Sequence, residues 1–209
     1  MTSLNVDLMK ITTYHYYIGW DVGGWNCDKN AVSRDAIVIM DADRAVIGTP
    51  WRGNLRHTIN NAINSNDWID DLFALCKLPA PCPSVRVVMV IDTPLGFSEQ
   101  FARLITRRSV AGPVEDSATN SFLYRQTEQF LIRNGIQPLS AVKEMIGSQA
   151  TKGMHVLAKF APYVESCDVW NDGQRYQAIE AYPSACKNSV RIQTMVKGRS
   201  LRHQDTDDG

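Results

Sequence analysis

Apolar residues fall in short blocks along the first half of the chain, and each block stops at a cluster of turn formers. Tyr16-Tyr17-Ile18-Gly19-Trp20-Asp21 reads as a strand closing on an acid, and Val22-Gly23-Gly24 then forces a turn. Residues 36–40 predict a second strand, 41–44 a turn and 45–48 a third strand, together an antiparallel meander. The period then changes. Leu55, Ile59, Ala62 and Ile63 share one face of a helix, and Asn64-Ser65-Asn66 breaks it. Asp67 is placed to cap a second helix carrying Ile69, Leu72, Phe73 and Cys76 at helical spacing, and Pro79, Pro81 and Pro83 end it.

Residues 85–91 form the strongest strand, a nearly continuous β-branched run of the kind covered on both faces. It leaves through Asp92-Thr93-Pro94-Leu95-Gly96. Residues 120–134 predict a helix with Leu123, Thr127, Phe130 and Leu131 on one side and Gly135 as its stop. Residues 148–160 predict another helix, and 176–182 a last strand ending at Pro183. This order predicts an α/β fold with an RNase H-like mixed sheet of about five strands, a three-strand antiparallel meander plus parallel strands, flanked by helices. The right-handed crossover rule puts the fourth strand beside the first. Residues 1–209 are then a single domain with a helical insertion at about 97–165.

Composition changes this picture little. The chain has 209 residues, 44% of them hydrophobic and 21% charged, as in an ordinary globular domain. Lys+Arg and Asp+Glu are both 22, so a nucleic-acid partner gains nothing from global charge and needs a local basic face. No apolar run resembles a secretory signal or a membrane span, so a cytoplasmic protein with no membrane partner is expected. The cysteines are odd in number and form no C-x-x-C pair, and the histidines are scattered. These spacings predict reduced thiols rather than a zinc site.

The candidate chemistry lies at strand ends. Ligands of open α/β sheets sit outside the carboxyl ends of strands, and Asp21 and Asp92 both end strands there. Hard divalent ions take oxygen ligands and need few carboxylates when substrate phosphates complete the shell. Asp21 and Asp92 are therefore candidate ligands, although each also suits a simple turn. Glu180 sits near the end of the last strand, where alternation leaves it either in the site or facing solvent. Arg103, Arg107, Arg108, Arg125, Lys152, Lys197, Arg199 and Arg202 are the cations available to a phosphate, and surface exposure is the ordinary state of each. Trp25 and Trp51 could stack on bases, whereas Trp20, Phe97 and Phe101 read as core.

Several segments, taken in order, resemble an uncharacterised domain family described as predicted nucleases with an RNase H-like fold. They are Tyr17–Asp21, Val90–Phe97, Asn120–Glu128, Gly147–Gly153 and Ile179–Ser184. The resemblance implies a metal-dependent nuclease acting on DNA or RNA with Mg²⁺ or Mn²⁺. Asp21, Asp92 and Glu180 would be its acidic catalytic and metal positions. Arg125, Lys152 and Tyr182 fall in its shared polar segments and would contact substrate. Family members continue past an Asp-rich start into a final helix, whose acids serve RuvC-like relatives of the fold. Here Asp207 and Asp208 stand at that start and the following run is missing, so either the chain is cut short or the protein ends unusually, and weak or no catalysis is expected of this form.

Two other functions remain compatible with these residues. Gly19–Gly24 resembles a phosphate-holding turn of actin-like ATPases and sugar kinases, which suggests a nucleotide or small phosphorylated ligand. A non-catalytic module binding nucleic acid or protein through the same cleft is the third. The G-x-x-x-x-G-K-[ST] signature is absent, which argues against a P-loop NTPase.

Overall fold

The computed structural model describes residues 15–30, 33–110, 112–114, 116–165, 168–186 and 189–196. Strands β1 (His15–Asp21), β2 (Asp35–Met40) and β3 (Val46–Gly53) form the expected antiparallel meander. Helices α1 (Arg56–Asn61) and α2 (Ser65–Leu75) carry the chain across to β4 (Arg86–Asp92), which lies parallel to β1. Helices α3 (Glu99–Arg107), α4 (Gln126–Arg133) and α5 (Gly147–Phe160) follow. Then come β5 (Tyr163–Val164), β6 (Trp170–Asn171), β7 (Tyr176–Glu180) and α6 (Val190–Val196).

The sheet runs β3-β2-β1-β4-β7-β6-β5, seven strands rather than about five. The two additional strands, β5 and β6, are two residues long and antiparallel, so they carry no alternation a sequence pattern can display. Other boundaries also differ from expectation. The cap of α2 is Asn64, whose side-chain oxygen accepts from the N–H groups of Asn66 and Asp67. The helix expected over 120–134 begins only at Gln126, because Asn120 turns the preceding segment by accepting from the Phe122 N–H.

One face of the sheet carries Ile18, Trp20, Ile37, Val87, Met89 and Ile91 against α2 and α5. Trp68 of α2 joins the layers, lying parallel to Phe160 at 5.2 Å and edge-on to Trp20 at 6.0 Å. Trp20 is core, as expected, while Phe97 and Phe101 are half-buried and pack on one another at 5.3 Å. Cys27, Cys76, Cys82 and Cys186 are free thiols, the first two buried and the others exposed. Among the described residues no helix is long and apolar enough to cross a membrane.

Candidate functional site

Because β1 and β4 are parallel and in register, Asp21 is the direct partner of Asp92 at the carboxyl end of the sheet. Residues in register on parallel strands project to the same face, so the two carboxylates lie side by side. Asp21 is exposed and Asp92 half-buried. Burial pushes the Asp92 carboxyl up to about 6, and the negative charges of Asp21 and Glu180 push it in the same direction. Two carboxylates that repel in this way are a donor set a hard cation relieves.

Glu180 stands apart from that pair. Its register partner is Ile91, one residue short of Asp92, which puts it on the alternate phase of the sheet. Its Oε2 accepts from the Leu95 N–H at 2.8 Å and from Arg125 Nη1 at 2.8 Å, and its Oε1 accepts from Arg125 Nη2 at 2.6 Å. The same guanidinium is paired with Glu128, which is 3% exposed. Burial alone would lower the Arg125 pKa, but the bonds to Glu180 and Glu128 outweigh it and raise it. Glu180 is thus already paired with an arginine that it shares with Glu128, and among the described residues no group of three or more His, Cys, Asp or Glu is arranged to hold a metal ion. The two-carboxylate pair is the set that fits. Magnesium is often held by one or two protein carboxylates, with water and phosphate oxygens completing the shell.

Lys152 is the correction among the expected substrate contacts. It is fully buried, as is its partner Asp35. Its ammonium also approaches the carbonyl oxygens of Gly23 and Gly24 at 3.4 Å. Asp35 in turn accepts from the Gly23 N–H at 2.8 Å, the Leu55 N–H at 2.8 Å and the Trp20 indole at 3.0 Å. This buried pair holds the turn after Asp21 from behind and cannot reach a macromolecular substrate. Of the Gly23 and Gly24 N–H groups that a phosphate-holding turn would offer, that of Gly23 is given to Asp35. Gly23 must lack a side chain here, because a Cβ would lie 2.4 Å from the Ser33 carbonyl oxygen.

Arg125 and Tyr182 do reach the site. They line a cleft of about 590 Å³ with Asp21, Asp92 and Glu180. The Tyr182 hydroxyl donates to the Gln137 carbonyl oxygen at 2.6 Å, which anchors its ring. Asp207 and Asp208 lie outside the described residues. The Trp25 indole donates to Thr151 of α5 at 3.1 Å.

Sequence reasoning missed four residues that shape this site. Asp168 lines the cleft from the β5–β6 connection, which had no pattern to mark it. Asp35, an acid at the head of an apolar strand, was a visible signal left unused. Glu128 closes the Asn120–Glu128 segment, where nothing in the residue order marks its pairing with Arg125. Thr93 follows Asp92, lines the cleft, is 5% exposed, and has a hydroxyl with no hydrogen-bond partner among the described residues. No protein-family model matches the chain, and no curated protein or solved structure matches it.

Proposed function

We propose that this protein is a divalent-metal-dependent nuclease with an RNase H-like core, hydrolysing phosphodiester bonds of DNA or RNA. The observation that carries the reading is the in-register pair Asp21 and Asp92, and burial and like charge push the Asp92 carboxyl up to about 6. The strand order β3-β2-β1-β4-β7 supports the RNase H-like label, because it joins the meander to two parallel strands as that arrangement requires.

Asp21 and Asp92 would hold Mg²⁺ or Mn²⁺. A divalent ion at such a pair supplies activation of a water and neutralisation of charge on phosphoryl oxygens. The chain's own residues do the rest. Asp92 would hold the ion as its carboxylate, beside Asp21. Glu180 and Glu128 hold the Arg125 guanidinium over the cleft, where it faces the developing charge of a phosphate. The buried Lys152–Asp35 pair keeps the turn after Asp21 in place.

The test is cleavage of labelled single- and double-stranded DNA and RNA by the full chain in Mg²⁺ or Mn²⁺. Cleavage that stops in EDTA and is lost in Asp92→Asn, with the fold intact by circular dichroism, is the expected result. Cleavage indifferent to EDTA, or unchanged in Asp92→Asn, overturns the proposal.

A further inference from the structure

We propose that the cleft binds one nucleoside phosphate unit at a time, with the base against its apolar wall, and does not bind a duplex. This rests on the reading of Asp21 and Asp92 as a cation site facing a phosphate. The first argument is size. A cleft of about 590 Å³ lies within the roughly 300–1,000 Å³ typical of small-molecule sites.

Charge is the second argument. A duplex carries one negative charge for about every 1.7 Å of axis and is held by several lysines and arginines. Among the described residues lining this cleft, Arg125 is the one cation, and it is already shared between Glu180 and Glu128. Asp21, Asp92 and Asp168 add further negative charge. One phosphate bridged by a cation is compatible with that lining, and a run of phosphates is not.

The third argument is the wall. Leu131, Pro138, Leu139 and Ile146 form an apolar side, and Tyr182 adds an anchored aromatic ring. A sugar phosphate has no flat apolar group for this surface, whereas a nucleobase does. Two polar groups of the lining that make no hydrogen bond among the described residues suit a base. The Thr93 hydroxyl is buried without a partner, and its methyl is turned toward Gly153 in α5. The Gln149 side chain lines the cleft with no hydrogen bond of its own, and its amide can both donate to and accept from a base edge.

The experiment measures binding to the full chain in Mg²⁺ at pH 8 by calorimetry, separately from cleavage. The probes are thymidine 5′-phosphate, deoxyribose 5-phosphate, and a blunt DNA duplex. Thymidine 5′-phosphate should bind one to one, and the probe lacking the base should bind about tenfold more weakly or worse. Leu139→Asn, at a wall position 49% exposed and so tolerant of change, should weaken thymidine 5′-phosphate about tenfold. Displacement by a linear oligothymidylate but not by its circular form identifies a strand end as the source of the unit. Displacement by neither identifies the free nucleotide. Displacement by the circle or by the duplex, equal binding with and without the base, no nucleotide binding, or indifference to Leu139→Asn each overturns the inference. Nucleotide binding together with cleavage that is indifferent to EDTA removes the metal-dependent nuclease reading alone. Duplex cleavage without nucleotide binding removes this inference alone.

Discussion

Asp92→Asn should stabilise the metal-free protein while abolishing its proposed activity. In the folded chain burial and the charges of Asp21 and Glu180 disfavour the Asp92 carboxylate, moving its pKa from 3.8 to about 6. At about 1.36 kcal/mol per pH unit, that gap sets a ceiling of roughly 3 kcal/mol on what the charge costs the folded state. Asp92 is only half-buried at an open cleft, so solvent screening reduces this to about 1.5 kcal/mol. For a domain of this size such a gain raises the melting temperature by roughly 3–6 °C. The direction with pH follows from proton uptake. Between about pH 4 and pH 6 the folded state holds a proton that the unfolded state has released, so stability falls as pH rises through that window and is flat above it. The variant's advantage should therefore be full at pH 8 and shrink steadily toward pH 4. Thermal unfolding by circular dichroism in EDTA measures it. Saturating Mg²⁺ should then stabilise the parent and not the variant. An advantage that does not change between pH 8 and pH 5, or a variant less stable than its parent at pH 8, would refute the electrostatic account of the site.

Other consequences are as direct. Lys152→Met leaves the Asp35 carboxylate buried without its cation and should cost about 3–5 kcal/mol, read as a lower urea midpoint, with part of the loss recovered by adding Asp35→Asn. Gly23→Ala sets a methyl against the Ser33 carbonyl oxygen and the Asp35 backbone, which cannot rotate away. It should cost about 1–3 kcal/mol and lower cleavage by displacing the turn after Asp21. Arg125→Ala strips the counter-charge from the nearly buried Glu128 and from Glu180, and should cost about 2–3 kcal/mol in a denaturant titration. Its cleavage should fall in kcat more than it rises in KM, since the guanidinium faces charge that develops during reaction.

The elements with long, regular patterns were legible from the amino-acid order. Strands β1, β2 and β4 and the helices over residues 65–75 and 147–160 each repeat their period enough times to identify themselves, whereas β3 runs on to Gly53, past the expected 45–48, without alternating. The two-residue strands β5 and β6 repeat nothing and could not. Helix α3 also escaped notice, although Ser98 caps it by accepting from the Phe101 N–H and Phe101, Leu104 and Ile105 share one side; none of its residues is buried, so that side is not part of the core.

For the site, local order determined which residues are acids and that Asp21 and Asp92 each close a strand. Whether those strands were neighbours, and in what register, was decided by the sheet. That pairing makes the two acids adjacent although 71 positions separate them in the chain. The same distance in sequence concealed that Arg125 would claim Glu180 and that Lys152 would be drawn beneath the Gly23 turn by Asp35, 117 residues away. A side chain's charge is a property of its own atoms. What that charge does depends on which opposite charge and how much water surround it, and only the folded chain sets both.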